Sequence, residues 1–491
     1  MNLAHRLLKA GVLTIEELAP ALHRQKKSRG FLGKHLLDLK LVEPEVLDDF
    51  IYACPRIPET LEETGLTQNL LLQLILKHGY FRDTFSIREM CRDIRIGPHL
   101  VESLFAYLKK QNQIFVRPRD IVSTKGRMSM EMYYALTEQG RAQAEQALET
   151  NRYVGPAPVP LEDYWDWVEF QSINQVKVEM PRLEAVFSEF EVNPGLLEKI
   201  GPAVNSGRSI FLFGPSGNGK TVMSTAIGHA FEDTVYIPFA IYVYGQVIRL
   251  FDEVNHEPVP TGGNARHDPR WVLCRRPVVI VGGEMTEDSL ELRFNPLLKF
   301  YEAPHQMRAN NSVFIIDDFG RQKMSPTQLL NRWMYPLETH QDFCCLHTGQ
   351  QFGVPFDQLI IFSTNLNPHS LADEAFLRRI RHKIFIGYVT PTQYVSIFRK
   401  VCRNFDIEFD EALVWDILER YYVATSRPLS ACHPRDLIEN LVDRARFLGQ
   451  KPELLPTELD SVCQSYFLKQ ADISNYDTLS NIGDPRPLQS A

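Results

Sequence analysis

Eight consecutive residues, Gly214-Pro215-Ser216-Gly217-Asn218-Gly219-Lys220-Thr221, set a lysine and a hydroxyl behind a glycine-rich turn in the spacing G-x-x-x-x-G-K-[ST]. Glycines at these positions let backbone N–H groups curl round a phosphate, and a helix beginning at the lysine adds the positive end of its dipole. Lys220 then reaches β- and γ-phosphates while the Thr221 hydroxyl binds Mg²⁺. About a hundred residues on, an apolar run ends in two carboxylates, Asp317 and Asp318. Set beside the phosphate loop, Asp317 would hold the Mg²⁺ shell and Asp318 would polarise an attacking water. A third apolar run, 358–365, ends in Ser363-Thr364-Asn365. Asn365 either orients the same water or caps a turn ahead of Pro368. Arg378-Arg379-Ile380-Arg381 forms a basic cluster that either projects into a neighbouring subunit's nucleotide or complements a helix C-terminus. Arg435, in His433-Pro434-Arg435-Asp436-Leu437, either folds back on the γ-phosphate or stays solvated in a first helical turn.

These residues need a scaffold. Ser209-Ile210-Phe211-Leu212-Phe213 is an apolar run of strand length ahead of the loop, and Thr221–Ile227 reads as the first turns of a helix, the context this motif requires. The carboxylate run and the 358–365 run are further strands, and 391–470 reads as helical. Between them, Tyr242-Val243-Tyr244-Gly245 reads as an aromatic–glycine loop or, given its strand-like flanks, a hairpin turn. The polar segment Thr261–Pro269 reads as a surface loop.

The chain has 491 residues, 44% apolar and 23% charged, which implies two to four domains with sizeable cores and excludes wholesale disorder. A net charge of −8 argues against a protein that coats nucleic acid, though not against a local basic face. Eight scattered cysteines with no C-x-x-C pair indicate neither a zinc site nor a disulfide framework, and fit a reducing cytoplasm. There is no signal-peptide pattern at the start and no run of membrane-span length.

Ahead of the phosphate loop, residues 1–50 carry a weak repeat: Leu7-Leu8 with Gly11-Val12-Leu13 and Glu16, then Leu36-Leu37 with Lys40-Leu41-Val42 and Glu45. Thr14 and Glu17 form a capping box opening a helix with Ile15, Leu18 and Leu22 on one face, and Pro44 suits the first turn of the matching helix. Residues 60–150 read helix, helix, helix, hairpin, helix, with a turn at Lys125-Gly126-Arg127, the order of a winged helix. Between Lys77 and Arg127 there are eleven Lys/Arg against five Asp/Glu. That excess suits DNA contact or a solvated basic face on a protein-binding module. Tyr153–Pro160 reads as a stiff proline-rich linker, followed by a cluster of Tyr164, Trp165, Trp167 and Phe170. Residues after about 470 read as a disordered tail.

Residues 1–50 resemble, in part, the N-terminal domain of type II secretion and type IV pilus assembly ATPases, some of which bind cyclic di-guanylate. The second half has Phe31-Leu32-Gly33 where that family has Arg-Leu-Gly, and the first only Leu3-Ala4. From about 196 to 470, the ordered set of phosphate loop, Asp317-Asp318, Asn365, Arg379 and Arg435 resembles AAA+ ATPases. The linker and Asp317-Asp318-Phe319-Gly320-Arg321-Gln322 are similar to those of bacterial AAA+ proteins described only as predicted ATPases. The resemblance makes Asn365 sensor 1, Arg379 the arginine finger and Arg435 sensor 2. It implies ATP rather than GTP, Mg²⁺, and a homo-oligomeric ring. The expected fold class is α/β: a P-loop NTPase core with a parallel sheet flanked by helices and an α-helical lid, preceded by a small helical domain and a winged helix. The expected division is 1–56, 57–150, a connector 151–195, the nucleotide domain 196–390, the lid 391–470 and the tail 471–491. The expected function is ATP-driven remodelling of a protein client. A DNA-directed ATPase and a nucleotide-gated partner of pilus or secretion machinery are the alternatives.

Overall fold

Alternation within Ile210-Phe211-Leu212-Phe213 decides how the central sheet is sandwiched, because successive side chains of a strand face opposite ways. Ile210 and Leu212 pack into one apolar cluster with Val313, Ile315, Leu359, Ile361 and Ile384. Phe211 joins Phe314, Ile316, Ile360 and Phe362 in a second cluster on the opposite face. Both faces are covered, as a parallel sheet requires. The computed structural model describes residues 3–28, 32–48, 54–117, 132–260, 267–371 and 374–467.

Five parallel strands build this sheet: β1 Ile210–Phe213, β2 Val278–Val281, β3 Ser312–Ile316, β4 Gln358–Thr364 and β5 His382–Phe385. Their spatial order is β2-β3-β4-β1-β5. Helix α1, Lys220–His229, lies on the first face with Ala226 and Ile227 buried. Helix α2, Pro326–Thr339, lies on the second, with Trp333 fully buried and a Ser325/Gln328 capping box at its start. Fully burying side chains of this size is worth about 1.5–3 kcal/mol each. After β5, helices α3 Pro391–Asn404, α4 Glu411–Leu418, α5 His433–Leu448 and α6 Pro456–Tyr466 share one separate apolar cluster.

A second sheet interrupts the α/β unit, a feature the expected single domain at 196–390 did not include. Its strands run 293–295, 300–302, 246–249, 240–243 and 159–160 in spatial order. A pair, 234–238 with 271–275, and a hairpin, 341–345 with 351–355, pack with it around Ile241, Ile248, Trp271 and Tyr301. Tyr244 and Gly245 form the hairpin turn between two of its strands, both at positive φ. The supposed linker is part of this unit: Val159-Pro160 pairs with Ile241-Tyr242, and Tyr153, Ala157 and Val159 are buried. Its apolar side chains bury more surface in place than a free strap would.

The expected surface loop at 261–269 needs a similar correction. Residues 261–266 lie outside the described residues, but Asp268 is 2% exposed and grips Arg270, equally buried. Arg270 Nη1 also donates to the carbonyls of Thr64 and Pro158, and the Asp268 N–H donates to the Pro55 carbonyl. The pair thus fastens residues 55–64 to the β unit. Asp268→Ala strands a buried guanidinium and is expected to cost roughly 3–5 kcal/mol in denaturant unfolding, much of it recovered in the double variant with Arg270→Met.

Upstream, helices Gln68–Tyr80, Ile87–Ile94 and Pro98–Lys110 pack on a three-stranded antiparallel sheet of 85–86, 133–136 and 114–117, and helix Glu138–Thr150 follows. The expected turn at 125–127 lies outside the described residues, as do Phe31 and the tail 471–491. The first helices form their own core around Leu7, Leu18 and Leu36, and the Thr14/Glu17 capping box is present. Ile15, expected on the buried face with Leu18, is 75% exposed. It sits at the first helical position, where the chain has not yet turned toward that core.

Candidate functional site

Parallel strands leave their ligand-facing loops at the carboxyl ends, and here β1, β3 and β4 bring three such ends together. Gly214 leaves β1 at φ 147°, and a Cβ there would stand 2.0 Å from the carbonyl oxygen of Ile386. Only glycine lets the loop start so close to the chain beyond β5. Gly217 and Gly219 continue it at φ 77° and 78°, the left-handed region that suits glycine. Gly219 is the N-cap of α1, so the helix opens at Lys220 with its first N–H groups toward the loop.

Within this loop Lys220 is 8% exposed and its Nζ donates to the carbonyls of Gly214 and Pro215 at 3.0 and 2.9 Å. Burial pulls its pKa down, and the charges of Asp318 and Asp317 oppose the shift. The Thr221 hydroxyl donates to both carboxylate oxygens of Asp317, at 3.0 and 2.8 Å. Phosphate loop and carboxylate pair therefore meet side chain to side chain across 96 residues of sequence.

Backbone bonds hold the carboxylates in place. Asp317 N–H donates to Val281 of β2, and Phe319 N–H to Ser363 of β4. Gln322 donates its amide to the Asp317 carbonyl. Asp318 is exposed with φ 47°, a conformation aspartate tolerates better than most residues. Asn365 follows β4 directly, and its Oδ1 is buried with no hydrogen-bond partner among the described residues. An unpaired buried amide oxygen is costly, and this one can still accept a hydrogen bond.

The two arginines stand differently. Arg379 Nε bonds Glu338 of α2 at 2.6 Å. The helix ahead of this basic cluster is short, Glu374–Leu377, and residues 372–373 lie outside the described residues. Arg435, in the first turn of α5, is largely exposed and pairs with Glu439 at 2.7 Å. Among the described residues, the bonds given for these two side chains run to Glu338 and Glu439 rather than to the phosphate loop.

Residues just ahead of Arg435 do touch it, which the sequence reading missed. Cys432 N–H donates to the Gly217 carbonyl at 2.9 Å, and Ala431 N–H to Asn218 Oδ1 at 3.1 Å. Asn218 also donates to Pro215 and Ser216, so one buried amide spans the loop and joins it to the helical unit. A Cβ on Gly217 would sit 2.6 Å from Cys432 Sγ. Burial, with Asp436 adding, pushes that thiol up to about 11, so it packs as a neutral group. The only trace in the sequence was an amide at a variable motif position.

The residues fit a Mg²⁺-nucleotide. A cradle with no room for a Cβ at Gly214 or Gly217 and a lysine whose charge rests on loop carbonyls suit an incoming polyphosphate, and the Asn365 oxygen can accept from a water beside it. Among the described residues no group of three or more His, Cys, Asp or Glu is placed to hold a metal alone. Mg²⁺ bound by one carboxylate, one hydroxyl and substrate phosphates needs no such group.

Residues 390–465 match a family profile described as a domain of unknown function (DUF8689). No curated protein matches the chain. Among solved structures it is similar to the Thermotoga maritima RuvB Holliday junction branch migration motor, at 13% identity over 63% of this chain and 79% of that one, TM-score 0.34. It is also similar to domain III of the Thermotoga maritima replication initiation protein DnaA, at 15% identity over 60% of this chain and all of that one, TM-score 0.34. Likeness at this level leaves function to rest on the site itself.

Proposed function

We propose that the chain is an AAA+ ATPase that binds ATP with Mg²⁺ and hydrolyses it, working in the cytoplasm as an oligomeric ring on a protein client. The observation that carries the reading is the Thr221–Asp317 contact beside Lys220, with Asp318 and Asn365 on neighbouring strand ends. Gly214–Thr221 would hold the phosphates, and Thr221 with Asp317 would hold Mg²⁺. When bound, the metal would neutralise charge on the phosphate oxygens. Asp318 would take the proton of the attacking water, Asn365 would orient that water, and Lys220 would stabilise charge on the γ-phosphoryl oxygens. Arg379 would serve the neighbouring subunit's site after leaving Glu338. Arg435 would approach the phosphates by rotation of α3–α6, which the Asn218 and Gly217 bonds already couple to the loop.

Residues 1–56 and 57–150 would select the client. The basic excess of the second module is partly taken up within it and against the β unit, which favours a protein client over DNA. Lys77 is buried, Arg82 pairs with Asp93 at 2.6 Å, and Arg95 lies over the Phe239 ring. On helix Pro98–Lys110, His99 bonds the Glu59 carbonyl, and Glu102 faces outward.

Phosphate release from ATP, followed with Mg²⁺ and with a chelator across a protein dilution series, tests the reading. Turnover per chain is expected to need Mg²⁺ and to rise with protein concentration as subunits assemble, and Arg379→Ala to lose that rise. Turnover that is independent of concentration would remove the ring, and none at all would remove the ATPase.

A further inference from the structure

A second charged cavity lies far along the chain from the phosphate loop. Helix Gln68–Tyr80 turns one lysine inward: Lys77 is 4% exposed and has no hydrogen bond or ion pair with any described residue. Burial alone pulls its pKa down to about 8, with no carboxylate close enough to oppose the shift. Lys77 lines a cavity of about 100 Å³ where three parts of the chain meet: this helix, residues 150–158 and the hairpin around Gly245.

The wall is rich in donors and holds no acidic side chain. Thr67, Asn69, Gln73, Asn151 and Tyr242 line it with Lys77. The Asn151 oxygen already accepts from the Tyr153 N–H, which leaves its amide N–H groups for the lumen. Burial raises the Tyr242 pKa, so its hydroxyl stays a neutral donor. A buried cation without a counter-ion is costly, and the lining of this cavity supplies neutral polar groups but no carboxylate.

We propose that this cavity binds a small oxyanion, inorganic phosphate or a carboxylate the size of acetate, with Lys77 as its counter-charge. The volume admits such an ion and excludes a nucleotide. Because its walls come from the upstream helical module, the 150–158 strap and the hairpin of the β unit, a bound anion fastens all three.

The test uses the full chain carrying Lys220→Ala, which silences the phosphate loop as a competing anion site. Sodium phosphate and sodium acetate are titrated at constant ionic strength against sodium chloride. One readout is the unfolding midpoint, and the other is the rate of reductive methylation of Lys77 followed by mass spectrometry. Either oxyanion is expected to raise the midpoint saturably and, at ten times its dissociation constant, to slow Lys77 labelling about tenfold. Whichever ion acts identifies the ligand class. Adding Lys77→Met should abolish the midpoint response; a response that survives in that variant places the anion elsewhere. Labelling equally fast with phosphate, acetate and chloride means the cavity holds only water, and overturns the proposal whether or not the methionine variant folds.

Discussion

Lys220→Ala is expected to weaken ATP binding by roughly 10²–10⁴-fold. The ammonium is 8% exposed and makes two charge-assisted bonds, to the carbonyls of Gly214 and Pro215. Those bonds occupy the donors that a phosphate would take, so the measured loss reflects bonds to the nucleotide less the bonds to the loop. Hydrogen bonds to charged groups are worth about 1.5–3 kcal/mol each, and losing two gives about 3–6 kcal/mol, the quoted range in affinity. Alanine also leaves the loop without its internal brace, so the ligand-free melting midpoint should be recorded alongside. Calorimetric titration with a non-hydrolysable ATP analogue and Mg²⁺ decides the matter. An affinity within threefold of the unaltered chain would mean that this loop is a structural turn.

How much of this was legible in the sequence depends on range. Gly214–Thr221 carries its geometry locally, because positive φ at Gly217 and Gly219 and a helix opening at Lys220 follow from adjacent residues. Asp317-Asp318 was legible as a strand end, since five buried residues, Ser312–Ile316, precede it. That this strand lies two places from β1, with β4 between, rested on the resemblance, because no local pattern fixes strand order.

What escaped was set by long-range contacts. Nothing in Val159-Pro160 says that it will pair with Ile241-Tyr242, and proline there suits an extended strap equally well. Asp268 looks like a loop carboxylate until Arg270, Thr64 and Pro158 come together around it. Asn218 occupies a motif position that tolerates many residues, so its bond to Ala431 could not be read from the motif. Lys77 was counted with a basic face because charge alone does not tell which side of a helix turns inward. Its neighbours Leu74 and Val247 in the same cavity wall do.

Asp318→Asn is expected to leave ATP affinity close to that of the unaltered chain while cutting turnover by about 10²–10⁴-fold, the range for removing a positioned general base. The substitution is suited to separating chemistry from folding. Asp318 is exposed at φ 47°, a left-handed conformation that asparagine also adopts readily, so the backbone of the 317–320 turn should be kept. Asp317, which meets Thr221, is untouched, so the metal site should survive and binding should report it. An amide can still orient a water but cannot accept its proton at neutral pH, so the loss should fall on turnover alone. Phosphate release under single-turnover conditions, with binding measured in parallel, distinguishes the outcomes. If both fall together, Asp318 belongs to nucleotide or metal binding. Were both unchanged, its carboxylate would serve only the turn, and the base would have to be sought beyond these two strand ends.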